Sequence, residues 1–136
     1  MKEIIFRGKR KDTGEWTKGY YFKRVRNFAG LKVIEHCYIQ YETWDEGFIT
    51  YEVYPKTVSQ FTGLVDKHGK KIFEGDILAK GFELYEVRWN PEQVRWGIYS
   101  NNFEVAGFTK FSETYFEVIG NIYDNKELLE NDKDKG

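Results

Sequence analysis

Many short strand-like runs, frequent turn signals and weak helical periodicity predict a mainly β protein. It is either a sheet-rich fold or a small barrel, closed by a short C-terminal helix. The chain has 136 residues, enough for one domain or a small domain with a modest second lobe. Aromatic residues make up 18% of it, and these favour both strands and interfaces. With 40% hydrophobic and 32% charged residues, the composition is that of a globular rather than a disordered chain.

The elements follow in order. Ile4–Gly8 (IIFRG) suits a first strand, and Lys9–Glu15 (KRKDTGE) is a charged turn. Trp16–Phe22 resumes as a strand, making a hairpin with a longer loop. A turn at Asn27–Gly30 leads into Lys32–Gln40, whose alternation sets Val33, Glu35, Cys37 and Ile39 on one face. After the turn YETWDEG, Phe48–Tyr54 is rich in β formers, and Pro55 ends it because proline cannot donate to a ladder. The Pro55–Lys56 junction divides an N-terminal β-rich lobe, 1–55, from a C-terminal lobe, 56–130, with a polar tail at 131–136.

In the second lobe, Asp66-Lys67-His68-Gly69 has turn composition, Ile72–Phe73 pairs briefly, and Glu74-Gly75-Asp76 is a tight corner. Ile77–Ala79 begins another strand. Leu84–Trp89 and Val94–Tyr99 flank the polar loop Asn90-Pro91-Glu92-Gln93 as a hairpin. Phe103–Phe108 and Thr114–Tyr123 are the last strands, with a helix near 107–116 as the alternative. Asn125 is placed to cap a short helix, KELLE.

Charge is uneven although its sum is only −1. Residues 1–32 hold ten Lys/Arg against three Asp/Glu, and the remainder holds eleven against nineteen. A basic N-terminal lobe suits either nucleic acid or an acidic protein surface. The basic clusters are Lys9, Arg10, Lys11 and Lys23, Arg24, Arg26, with Trp16, Tyr20, Tyr21, Phe22 and Phe28 nearby. Cations beside aromatics bind single strands by charge and stacking, but they also keep exposed edge strands soluble. A tyrosine-rich acidic stretch, Tyr38 to Tyr54, is the candidate protein interface.

Other chemistry is weakly supported. Gly63, Gly69 and Gly75 lie six apart with no helix start after them, so a phosphate loop is not expected. Glu74 and Asp76 have the spacing of an acid/base pair, but the turn chemistry around Asp66, Gly69, Glu74, Gly75 and Asp76 favours a structural role. One cysteine and two histidines are too few for a structural zinc site, and no other metal or cofactor is expected. A Cys37–His68 nucleophile pair is the one remaining catalytic arrangement. The lone Cys37, the lack of a signal-like start and the short apolar runs fit a cytoplasmic protein without membrane segments.

Three blocks, MKEIIFRGKRKDTGEWTKGYYF, VSQFTGLVDKHGKKIFEGDIL and FEVIGNIYDNKELLE, resemble the YopX family of phage and prophage proteins. The similarity covers nearly the whole chain, least distinctly over 23–54. The resemblance implies a C-terminal SH3-type barrel, a phage origin and a bacterial host cell, and it carries no catalytic residue. The expectation is therefore a non-catalytic accessory protein that binds a macromolecule or a second copy of itself. A nucleic-acid binder and a small hydrolytic enzyme are the alternatives.

Overall fold

A computed structural model describes residues 4–28, 30, 32–107 and 112–134. The chain divides into two compact units, Met1–Gln60 and Phe61–Gly136. Each is built on antiparallel strands, so the fold is mainly β with two antiparallel sheets.

The first unit contains β1 (Phe6–Lys9), β2 (Trp16–Phe28), β3 (Lys32–Thr43), β4 (Gly47–Val53) and a single 3-10 turn, Pro55–Thr57. The expected lobe junction falls in that turn. Next comes β5 (Ser59–Val65), whose first two residues complete a ladder order of β4-β3-β2-β1-β5. Alternation decides which face is buried. Cys37, Ile39 and Val53 form the core, with Phe6, Tyr21 and Val58 packed on them. Tyr21 is opposite Ile39 and Lys23 is opposite Cys37, so odd-numbered β2 residues share the core face. The even-numbered residues therefore face outward.

β2 runs well past the expected end at Phe22. β3 supplies antiparallel partners as far as Phe28 opposite Lys32, and the basic run Lys23–Arg26 hides a regular strand behind its charge. β4 backs β3 only from Cys37 to Thr43. From Arg24 and His36 outward, the described strands form a two-stranded ribbon.

The remainder of β5 pairs with β6 (Lys71–Phe73) in the second unit. This unit continues with β7 (Asp76–Lys80), β8 (Glu83–Asn90), β9 (Arg95–Ser100), β10 (Phe103–Gly107), α1 (Ser112–Tyr115), β11 (Glu117–Asn121) and α2 (Lys126–Asp134). Its sheet order is β10-β9-β8-β7-β11. Ile72, Leu78, Val87, Ile98 and Phe116 are buried together, with Leu64, Tyr85, Trp96 and Val118 against them. Among the described residues no ladder joins β10 to β11, so the sheet is open where the expected barrel would close. Register shifts in β10 and β11 mark bulges, which bend and twist an antiparallel pair.

The expected strand from Thr114 starts late. β7 offers Ala79 opposite Glu117, and the residues just before Glu117 close into the helical turn α1 instead. α2 packs near β8 and continues through Asp134, into the stretch expected to be a polar tail. Among the described residues no helix is long and apolar enough to cross a membrane.

Candidate macromolecule-binding site

The outward face of β2 and β3 collects the residues with binding chemistry. Phe22 and Tyr38 are cross-strand partners, and their rings stack at 5.2 Å between centroids with 19° between planes. The Arg24 guanidinium lies 5.9 Å from the Phe22 centroid and 5.7 Å from that of Tyr38. Cation–π attraction of this kind is worth about 0.5–1 kcal/mol at an exposed site. Arg26 follows two residues along the same face, opposite Ile34. Tyr20 precedes the pair and is 66% exposed.

A carboxylate centres the neighbouring part of this face. Glu52 Oε2 lies 2.8 Å from Lys11 Nζ and 2.8 Å from His36 Nδ1. The hydrogen bonds from Lys11 and His36 outweigh desolvation and hold the Glu52 carboxyl below its usual range. Lys11 is raised in turn, chiefly by that same bond. A hollow of about 410 Å³ beside them is lined by Lys11, Asp12, Thr50, Tyr51 and Glu52.

The six basic residues are not one uniform patch. Lys9 lies over the Trp16 ring at 5.5 Å. Arg10 is held by Asp12, with Nη2–Oδ2 at 2.7 Å, and lies 3.6 Å from the Tyr51 ring centroid. Lys11 is neutralised by Glu52. Lys23, Arg24 and Arg26 are exposed, and among the described residues no carboxylate pairs with them. Of the acidic stretch, Tyr41 pairs with Tyr51 at 6.3 Å, while Trp44 and Phe48 are 98% and 63% exposed near the β3–β4 turn.

The central motif has turned its polar groups inward. Asp66 is buried. Its Oδ1 accepts the His68 N–H at 2.8 Å and the Lys70 N–H at 2.9 Å, and its Oδ2 accepts the Val118 N–H at 2.9 Å. Burial alone would push this carboxyl up; the three amide donors outweigh it and bring it below the ordinary value. Asp76 is also buried, and its Oδ2 accepts the Phe73 N–H at 2.8 Å. Gly75 has φ +84°, and a Cβ there would stand 3.1 Å from Tyr123. Gly69 has φ +81° with open space around it and donates its N–H to the Asp66 carbonyl at 3.0 Å. Glu74 is half-buried in the same corner.

Two further candidates have other neighbours. Cys37 is buried beside the Tyr21 hydroxyl, 3.4 Å away, and burial pushes that phenol up to about 12. His68 is exposed, with Nε2 at 3.5 Å from Glu117. Among the described residues no three His, Cys, Asp or Glu side chains group as metal ligands. The ring pair Phe22–Tyr38 escaped the sequence reading as a pair. Only register, which places residue 22 opposite residue 38, reveals it.

A family model described as YopX protein matches residues 5–130. No curated protein sequence matches the chain. The crystal structure of protein EF1440 from Enterococcus faecalis is similar, with a TM-score of 0.56 and 22% identity over 95% of this chain and 99% of that one. That likeness is one of fold.

Proposed function

Because this chain belongs to the YopX family, we propose that it is a phage- or prophage-encoded accessory protein acting in the bacterial cytoplasm by binding another macromolecule. Binding rather than catalysis is the reading that the described side chains favour. Asp66 and Asp76 of the central motif are committed to backbone amides, and Cys37 is sealed in a core. In this reading the second unit is an SH3-type meander that serves as scaffold, and the first unit presents the binding face.

One observation carries the proposal. Lys23, Arg24 and Arg26 are exposed cations without acidic partners among the described residues, on a ribbon that begins beside a stacked aromatic pair. Elsewhere Arg10 and Lys11 have acidic neighbours. Exposed cations beside aromatic rings are the recurrent chemistry of macromolecular recognition.

The test is capture from phage-infected host cells with the wild-type protein and the variant Arg24→Ala/Arg26→Ala, each recovered fraction being analysed for protein and nucleic acid. A partner retained by the wild type and lost by the variant supports the ribbon face. Equal recovery by both excludes it. Self-association is the second reading, motivated by the exposed rings of Trp44 and Phe48. A monomer in sedimentation at micromolar concentration would remove it.

A further inference from the structure

We infer that the outward face of the β2–β3 ribbon is a stacking platform for single-stranded nucleic acid, an inference that rests on the binding face proposed above. Six side chains carry it: Tyr20, Phe22, Arg24 and Arg26 from β2, and His36 and Tyr38 from β3. Register sets Phe22 against Tyr38 and Arg24 against His36. Successive positions on one face are about 6.8 Å apart along a strand, so along β2 two rings, Tyr20 and Phe22, are followed by two cations, Arg24 and Arg26.

Three features select the occupant. First, single strands expose base faces, and aromatic platforms stack them without regard to sequence. Duplex DNA hides those faces and offers mainly phosphate and groove edges. The Phe22–Tyr38 pair would add little to duplex binding. Second, the sign of charge fits phosphate. Arg24 and Arg26 project beyond the paired rings, and Lys23 leaves the opposite face of the same ribbon. Glu35, the described acid on the ribbon, is opposite Val25 and so on the other face from the two arginines. Third, the guanidinium of Arg24 already lies near both rings, the position from which it can contact a phosphate beside a stacked base.

Glu52 sets the limit of the platform. It neutralises Lys11 and binds His36 at one end through a single oxygen. Removing its charge would release Lys11 to the strand. A purely structural cluster would respond in the opposite way, by losing stability with no gain elsewhere.

The experiment is fluorescence anisotropy with a labelled twenty-nucleotide oligothymidine, an oligouridine of equal length and a DNA duplex, at several salt concentrations. The platform predicts micromolar binding of the single strands at low salt and weaker binding of the duplex. With two phosphate contacts, from Arg24 and Arg26, log affinity should fall with log salt at a slope of about −1.4. Arg24→Ala/Arg26→Ala should weaken binding at least tenfold and reduce the slope by about 1.4. Tyr38→Ser should weaken binding without changing the slope. Glu52→Gln should strengthen binding several-fold and steepen the slope by about 0.7.

No single-strand binding by the wild type at low salt, preference for the duplex, or an unchanged slope in the arginine variant would overturn the inference. If oligonucleotides fail while a captured protein is lost from the arginine variant, the binding face stands and its occupant is a protein.

Discussion

Asp66 joins two distant parts of the chain through one carboxylate. Its oxygens serve the amides of His68 and Lys70 in the turn and of Val118 in β11. Asp66→Ala would leave three part-buried amide donors without their acceptor, and an unsatisfied buried group costs roughly 1–3 kcal/mol. A loss of about 2–3 kcal/mol in urea unfolding is therefore expected. The folded carboxyl is depressed below 3.8, so its stabilisation is full above that value and is lost as pH falls through the folded one. The wild type should weaken on acidification below about pH 4. Asp66→Asn should lack much of that acid slope. Gly75 and Gly69 make a second comparison at this scale. Both have positive φ, but only at Gly75 would a Cβ also crowd Tyr123, at 3.1 Å. Gly69→Ala should cost roughly 1–2 kcal/mol from backbone strain, and Gly75→Ala distinctly more.

The ribbon of β2 and β3 is the element on which the functional reading turns. Two strands alone are marginal in water. Amide exchange should therefore be faster from Arg24 to Phe28 than from Tyr20 to Phe22, where β4 backs β3. Equal protection along β2 would mean that something further supports the ribbon. Because Arg24 and Arg26 are exposed, replacing both by alanine should change stability by only about 1 kcal/mol, the scale of the Arg24 ring contact. That separates loss of binding from loss of fold. The strands themselves were legible in their alternation and turn residues, as at Lys32–Gln40 and the corner of Glu74, Gly75 and Asp76. The length of β2 was not, because the run Lys-Arg-Val-Arg lacks an apolar face and extends only on β3's partnership. The start at Thr114 failed for a related reason: a strand exists only where its neighbour offers partners, and the β7 ladder reaches Ala79 opposite Glu117.

At the scale of the whole molecule, the uneven charge of the sequence resolves into two kinds of cation. Arg10 and Lys11 are tied to Asp12 and Glu52, whereas Lys23, Arg24 and Arg26 have no such partners among the described residues. Composition could report the basic excess; only the fold separates committed charge from available charge. Likewise the motif from Thr62 to Leu78, which has the residues of an acidic site, spends Asp66 and Asp76 on its own amides. Its identity marks the family, and its chemistry holds the second unit together. The central claim is that this chain binds a partner through the outward face of β2 and β3. The most direct measurement is parallel capture from infected cells by the wild-type protein and by Arg24→Ala/Arg26→Ala, with both proteins first confirmed as folded. The account predicts a partner bound by the wild type and missing from the variant. The same partner recovered in equal amount by both would contradict it.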